Sequence, residues 1–526
     1  MFDEASAFTK VKTEADNALR YLRYAFHLVP KYGDVPGTCF LACLTDTMGD
    51  IDKTFPSSMS DSSLRFVFTT RLMPPFWLMA TYNLTEIKDH KILTGQVSLN
   101  NLLHCGRPLW ASLYNVSTGI SGVIEIAKHK LIGGTSAETE KRLPKEIDEF
   151  QALAILGCRV GINWVAASKY SRELLHNYMA TCLHADPAND FYLVGYPSEP
   201  ILGYAAQEMM KHYSMTEIMN VVAPLFQSGF ISEGNRGEFI ARIIQVMAYD
   251  RAISSQSTLQ QVQNGVQNGV PVEGYLNALL GNKAVEGLKN KYLHTNSVDE
   301  ADRRRIIWDE MMSGTLRFSQ LIPVTYKITE SDLIQGYNRH NSFLTKNNAS
   351  GIDMISAVSL KNQRISAMQW SIKNYQSTDM NEFENASIAL SAGTSGWAKF
   401  IAKEPGIMVE DVDVPYLLMY MNVHPTEQGE VDLLPFAEKS VVSAKKNEKQ
   451  ITTKYLPSPL QIGIGIRGLS PDTFPMLAED LELYSILSRL AMTRHPVDDY
   501  YDFRKAKDRQ AYDIIKQMIS IGIKGK

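Results

Sequence analysis

The sequence lacks several features that would assign it to a class of protein. None of its 526 positions begins an apolar run of about 18 residues, so we expect no transmembrane helix. Its five cysteines are too few and too scattered for a disulfide framework, which predicts reduced thiols in a soluble, cytosol-like compartment. The net charge of −4 shows no excess of one sign, so nucleic-acid binding would require a local basic patch.

Common catalytic motifs are missing as well. No G-x-x-x-x-G-K-[ST] sequence is present to bind a nucleotide, and no G-x-S-x-G sequence presents a nucleophilic serine. Cys39 and Cys43 have no second pair to complete a zinc site. The stretch QIGIGIRG (461–468) is a near miss to a dinucleotide-binding motif, and we interpret its glycines as close backbone packing in a strand.

The patterns that are present predict a helix-rich α+β protein. Helical spacing dominates the N-terminal half, above all at 145–252, and β-branched runs follow after about residue 315. A chain of this length is too long to fold around a single hydrophobic core, so we expect more than one domain. The predicted regions are an N-terminal α/β region (1–144), a helical domain (145–253), a flexible linker or loop (254–274), a mixed α/β domain (275–500) and a C-terminal helix (501–526).

One stretch, GIDMISAVSLKNQRISAMQWSIKNYQ (351–376), contains a candidate catalytic pair. Two β-like runs joined by KNQ predict a hairpin. Antiparallel pairing brings Asp353, at the head of the first run, beside Lys373, near the end of the second. An ordinary hairpin with two solvated ends is the alternative interpretation.

Nucleases of the PD-(D/E)xK kind use such a pair. Their carboxylates hold Mg²⁺, and a lysine beside them lowers the cost of forming hydroxide from water. Here the second acid is missing, because Ser371 stands two residues before Lys373 on the same strand face. A serine hydroxyl is a weak Mg²⁺ ligand. Gln369, two residues earlier again, offers a carbonyl oxygen.

Several segments together resemble a large family of fungal proteins related to Crinkler-type effectors and transposon-associated nucleases. They occur in the family's order: MPPFW (73–77), GRPLW (106–110), EPILGYAAQ (199–207), GFISEGNRGEFIARIIQVMAYDRA (229–252), GIDMISAV (351–358), IKN (372–374) and RGLSPDTFPML (467–477). The resemblance spans about residues 70 to 480. It implies a restriction-endonuclease-like core around Asp353 and Lys373, here without the NTPase module that often accompanies it.

The resemblance also assigns roles to individual residues. Asp353 matches the metal-binding aspartate, Lys373 the catalytic lysine, and Glu238 a glutamate that a helix supplies. Ser371 stands where the family tends to have glutamine or an acid, which puts metal binding in doubt. Gln369 or Glu238 would then complete the metal shell.

Two functions remain open. In the first, the site has decayed and the protein is an effector, delivered to the cytoplasm or nucleus of a host cell, where it binds a host protein or is recognised by an immune receptor. In the second, it is a Mg²⁺-dependent nuclease acting on DNA or RNA. Mg²⁺ is the only cofactor expected, and only for an active site. Homodimerisation is expected from base rates alone.

Overall fold

A computed structural model describes the chain in segments. They cover residues 99–114, 119–134, 143–162, 164–165, 169–186, 191–225, 233–255, 262–263, 266–267, 269–324, 328–345, 352–361, 364–376, 382–384, 386, 414–435, 439–443, 451–455 and 460–492. Residues 1–98 of the predicted N-terminal α/β region and the C-terminal helix predicted at 501–526 lie outside these residues.

The described helices are distributed along the whole of this part of the chain. They are α1 (Leu99–His104), α2 (Leu109–Tyr114), α3 (Ile120–Leu131), α4 (Glu149–Val160), α5 (Lys169–Asn177), α6 (Pro200–His212), α7 (Met215–Leu225), α8 (Glu233–Ser255), α9 (Val272–Leu280), α10 (Asn282–Leu293), α11 (Val298–Met312), α12 (Glu330–Asn338), α13 (Pro475–Glu479) and α14 (Leu481–Met492). None of them is both long enough and apolar enough to cross a membrane.

The strands concentrate in the second half of the chain. They are β1 (Trp164–Val165), β2 (Thr181–Asp186), β3 (Phe191–Gly195), β4 (Val262–Gln263), β5 (Val266–Gln267), β6 (Val270–Pro271), β7 (Thr315–Leu316), β8 (Gln320–Pro323), β9 (Asn341–Leu344), β10 (Met354–Ser359), β11 (Ile365–Lys373), β12 (Tyr416–Pro425), β13 (Glu430–Leu433), β14 (Lys439–Ser443), β15 (Ile451–Tyr455) and β16 (Gln461–Leu469). The chain is therefore mixed α/β.

The chain forms two compact units that interleave in sequence. The first contains residues 1–214, 257–269 and 317–344, and the second contains 215–256, 270–316 and 345–526. The domain boundaries predicted from the sequence follow changes in composition along the chain, whereas the two units are defined by contacts. The predicted boundaries therefore remain a prediction.

In the first unit, helices pack around two small sets of strands. Helix α6 packs against α3 and α4, and α4 also packs on β8, which runs parallel to β9. Strands β1, β3 and β2 form an antiparallel sheet. Helix α4 begins with a capping box of Asp148 and Gln151 and ends at Gly161 in the left-handed region.

The carboxylate of Glu199, which is 1% exposed, connects two segments of the first unit. It accepts hydrogen bonds from the backbone and guanidinium of Arg107, at 3.0 and 2.5 Å, and from Trp110 Nε1 at 2.7 Å. Gly106 has a φ of +99°, and a Cβ there would collide with Glu199 Cγ. The segments GRPLW (106–110) and EPILGYAAQ (199–207) therefore contact each other through an ion pair whose carboxylate is buried.

The second unit is built on a mixed sheet. Its described strands follow the order β13-β16-β12-β11-β10-β7-β6, in which β11, β12 and β16 are parallel neighbours and β10 is antiparallel to β11. Helix α8 packs on β11 and β12, and α14 packs on α7 and β12. The middle strands β11 and β12 are buried along nearly their whole length, and most of their residues are apolar.

The described part of 145–252 contains the helices α4 to α8, and the strands β1, β2 and β3 also lie there. Helical spacing in SKYSRELLHNYMATCLHA (168–185) predicts a single helix, but α5 ends at Asn177 and Met179 then adopts a φ of 60°. Cys182 and His184 lie on β2 instead of a helix. Pairing with β3 decides the structure here, and local propensity gives no signal of such a tertiary contact.

The linker predicted at 254–274 remains a prediction, and the structure describes only part of this stretch. The described residues form the antiparallel pair β4–β5, the short strand β6 and the start of α9. The predicted hairpin at 351–376 and the strand predicted at 461–468 are confirmed.

We predict that Arg107→Met destabilises the protein by about 3–5 kcal/mol, because it leaves the buried Glu199 carboxylate without its cation. Urea denaturation of the full chain, followed by tryptophan fluorescence, measures the change. The matched control is Lys211→Met, which breaks the exposed 2.6 Å pair with Glu208 and should cost at most about 1 kcal/mol. Equal losses in the two variants would contradict a structural role for the buried pair.

Candidate functional site

The hairpin of β10 and β11 brings the predicted pair together. Met354 lies opposite Trp370 and Ser359 opposite Ile365, so Asp353 precedes β10 at the end where β11 finishes. Lys373 is the last residue of β11. Its Nζ lies 3.7 Å from Asp353 Oδ2. The expectation that the two strand ends meet is confirmed.

The Asp353 carboxylate is also part of the sheet's hydrogen bonding. Its Oδ2 accepts the backbone N–H of Ile372 at 2.6 Å, and its own N–H donates to the Trp370 carbonyl at 2.7 Å. The Asp353 carboxylate thus accepts a hydrogen bond from β11 that a backbone carbonyl would accept if β10 continued as a strand. This fixes the carboxylate, while the Asp353 and Lys373 side chains remain 20% and 39% exposed.

Helix α8 brings Glu238 to the same end of the strands. A Cβ at Gly237 would collide with Asn374, the residue after β11, so the helix approaches the strand end closely. Glu238 interacts electrostatically with both Asp353 and Lys373, although 115 residues separate it from Asp353 along the chain. The three residues that the resemblance matched to catalytic positions therefore lie in one cluster.

Arg242, one helical turn after Glu238, is the cluster's second cation. Its Nη2 donates to Glu238 Oε2 at 2.6 Å. Burial raises the pKa of Glu238 and the nearby Asp353 adds to this, while Arg242 and Lys373 oppose it. Burial also lowers the pKa of Arg242, against the influence of Glu238 and Asp353. The cluster holds two carboxylates and two cations, and its formal charges balance.

Ser371 and Gln369 have a different environment. They follow the alternation of β11 on the face that also holds Lys373, but they are only 3% and 1% exposed. Neither amide atom of Gln369 has a hydrogen-bond partner among the described residues. Both side chains are enclosed within the sheet's packing, and the exposed end of the site is formed by Asp353, Lys373, Glu238 and Arg242.

Sequence reasoning did not identify Arg242. The sequence GEFIAR (237–242) does indicate a pairing of Glu238 with Arg242, since residues four apart share one face of a helix. Such pairs are common on exposed helices, so the spacing alone does not single this one out.

The glycines of β16 have the packing role that the sequence predicts. A Cβ at Gly465 would lie 2.8 Å from the Phe383 ring, and one at Gly463 would lie 2.9 Å from Leu434 Cβ. Both distances are shorter than normal contacts, so side chains packed on the strand require glycine here.

Comparisons with known proteins identify one family. A family profile described as "Domain of unknown function (DUF8736)" matches residues 142–447, more than half of the chain and a range that contains the cluster. Searches of curated proteins and of solved structures return no match.

We predict that Asp353 has a structural role that asparagine can replace. Asp353→Asn keeps an oxygen to accept the Ile372 N–H and should change the free energy of unfolding by less than about 1 kcal/mol. Asp353→Ala leaves that N–H without its acceptor and should cost about 1–3 kcal/mol. Urea denaturation of both variants tests this, and a loss as large in the asparagine variant would contradict it.

We predict a pH dependence of stability from Glu238. Because its pKa is raised in the folded state, the folded protein binds this proton more tightly than the unfolded chain does. Its stabilising contribution is therefore present below the ordinary carboxyl pKa and is lost as pH rises through the raised value. Glu238→Gln cannot ionise, so the variant should gain stability relative to the wild type as pH rises from acid to neutral. Parallel curves of unfolding free energy against pH would show that Glu238 titrates normally.

Proposed function

The chain belongs to the DUF8736 family, and we propose that it is a metal-dependent phosphodiesterase of the nuclease kind. The observation that carries this proposal is the 3.7 Å approach of Lys373 Nζ to Asp353 Oδ2 at a partly exposed strand end. The electrostatic contact of Glu238 with both residues supports it.

Each member of the cluster has a task in this chemistry. The Lys373 ammonium stabilises negative charge that develops on an attacking water or on a phosphate oxygen. Asp353, fixed by the Ile372 N–H, presents a carboxylate oxygen in a constant position. Arg242 orients Glu238 through their 2.6 Å hydrogen bond.

The carboxylates of Asp353 and Glu238 are oxygen ligands of the kind that Mg²⁺ requires. The described residues contain no cluster of three or more His, Cys, Asp or Glu side chains that could hold a metal ion. However, Mg²⁺ in phosphoryl-transfer sites is usually held by one or two carboxylates, together with waters and substrate phosphates. Asp353 and Glu238 would hold it here, and the ion would promote ionisation of water and offset charge on the phosphate.

The restriction-endonuclease-like core and the kinship with fungal effectors belong to the same proposal. The core is supported by the arrangement around the site, in which an antiparallel hairpin lies beside the parallel strand β12 and α8 packs on β11 and β12. The kinship is supported by the order of the resembling segments along the chain.

A second candidate function is an effector that keeps this core without its activity and acts by binding protein. Its support is the balanced charge of the cluster, in which Lys373 and Arg242 already neutralise both carboxylates, and the burial of Ser371 at the position of the missing acid. The partner would be a host protein or an immune receptor in the cytoplasm or nucleus of the host cell. The protein itself would form a homodimer.

We predict that the purified protein cleaves plasmid DNA or single-stranded RNA in the presence of Mg²⁺ or Mn²⁺. Lys373→Met should lower the rate by at least about 100-fold, because the removed charge acts on the transition state. Asp353→Asn should do the same while leaving the fold intact. Gel electrophoresis of the products with time measures the rates.

The matched control is Lys289→Met, which removes the lysine of an exposed pair with Asp309 at 3.6 Å elsewhere in the same unit. It should cleave as the wild type does. Absence of cleavage by the wild type on both substrates would exclude the phosphodiesterase. Activity that survives in Lys373→Met and Asp353→Asn would assign it to another site or to a contaminant.

A further inference from the structure

An exposed aromatic ring stands two residues beyond the catalytic lysine. Tyr375 follows the end of β11 and is 46% exposed, which is unusual for a tyrosine so close to a buried sheet. Its hydroxyl lies 3.0 Å from that of Tyr420 on the neighbouring strand β12. Tyr375 is therefore about half exposed, while its hydroxyl is hydrogen-bonded to the sheet.

The direction of the hydrogen bonds follows from a count of protons. Tyr420 donates its only hydroxyl proton to Glu382 Oε1 at 2.8 Å, so the proton between the two tyrosines comes from Tyr375. Burial raises the pKa of Tyr420, which keeps that hydroxyl protonated. Tyr375 therefore donates to Tyr420, which donates to the buried Glu382.

Asn422 closes this chain of hydrogen bonds into a loop. Its Nδ2 donates to Glu382 Oε1 at 2.8 Å and to the Tyr375 carbonyl at 3.1 Å. Its Oδ1 accepts the Tyr375 N–H at 3.5 Å. The backbone and the hydroxyl of Tyr375 are thus both connected to one buried carboxylate, which restricts the ring to one orientation.

An exposed ring held in this way loses little entropy when a flat group stacks on it. A nucleobase is such a group, and stacking of a base on an aromatic side chain is a common mode of single-strand binding. In a duplex the base faces are already covered by their neighbours. Lys373, the last residue of β11, is two residues before Tyr375 and supplies a cation at the same strand end.

We propose that Tyr375 is a stacking platform for one unpaired nucleobase, which makes single-stranded nucleic acid the substrate class of this site. The choice of ligand rests on the proposed phosphodiesterase function. The buried network of Tyr420, Glu382 and Asn422 positions the ring, and the base stacked on it places the neighbouring phosphodiester beside Lys373 and Asp353.

Binding can be measured apart from cleavage. Fluorescence anisotropy in EDTA, with a labelled oligothymidine of about 12 nucleotides and a hairpin duplex of similar length, gives dissociation constants for both forms. Tyr375→Leu should weaken single-strand binding by about 5- to 100-fold, the range expected for loss of one stacked base. Duplex binding should change by less than about 2-fold, because duplex bases cannot stack on the ring.

Two further variants control for folding and for the loss of any tyrosine. Tyr375→Phe keeps the ring and should bind the single strand within about 3-fold of the wild type, since the stacking face remains. Tyr114→Leu removes an exposed tyrosine far along the chain and should bind as the wild type does. If Tyr375→Leu unfolds, the comparison of Tyr375→Phe with Tyr375→Ser replaces it.

The outcomes separate this proposal from the phosphodiesterase. Tyr375-dependent single-strand binding without cleavage in Mg²⁺ or Mn²⁺ would support the platform and exclude the enzyme. Cleavage together with unchanged single-strand binding in Tyr375→Leu would support the enzyme and exclude the platform. If Tyr375→Leu weakens duplex binding as much as single-strand binding, the platform is excluded. It is also excluded if Tyr375→Leu changes only the self-association of the protein, because Tyr375 would then be a protein–protein contact.

Discussion

The register of the β10–β11 hairpin is the constraint on which the site depends. The period of a strand is two residues, so a slip of one residue would turn every side chain of β11 to the opposite face. The observed register places the Asp353 carboxylate where it accepts the Ile372 N–H and lies beside Lys373. A second register, between β11 and the parallel strand β12, aligns Ser371 with Tyr420 and Lys373 with Asn422, next to the network that holds Tyr375.

Burial explains why the polar groups of the second unit occur in such connected sets. Because β11 and β12 are covered on both faces, a polar side chain in their middle requires a partner or remains unsatisfied, as Gln369 does among the described residues. Charged groups are tolerated where the strands end and water reaches them. The cluster of Asp353, Lys373, Glu238 and Arg242 occupies one such end, and its balanced charge keeps the cost of partial burial low.

The features that sequence reasoning reached were those encoded locally. The hairpin at 351–376 could be predicted because two β-like runs and a short connection lie next to each other, and the meeting of Asp353 with Lys373 follows from antiparallel pairing. Glu238 could be included only through the family resemblance, since no local pattern relates residues 115 apart. Arg242, the Tyr375 network and the pairing of β2 with β3 were missed because each depends on tertiary contacts between separate segments.

The two candidate functions differ in how easily the carboxylates of the cluster can leave their cations. The Asp353–Lys373 pair is partly exposed and long at 3.7 Å, and such pairs contribute about 0–1 kcal/mol. A metal ion can therefore replace Lys373 beside Asp353, and a phosphate can replace Asp353 beside Lys373, at little cost. Glu238 and Arg242 are closer, at 2.6 Å, and Arg242 is less exposed than Lys373, so their separation costs more. An acid at position 371 would have to be desolvated almost completely, which serine avoids. Under the proposed phosphodiesterase, Asp353 would therefore be the carboxylate that leaves its cation most easily for a metal ion, with Glu238 as the second ligand.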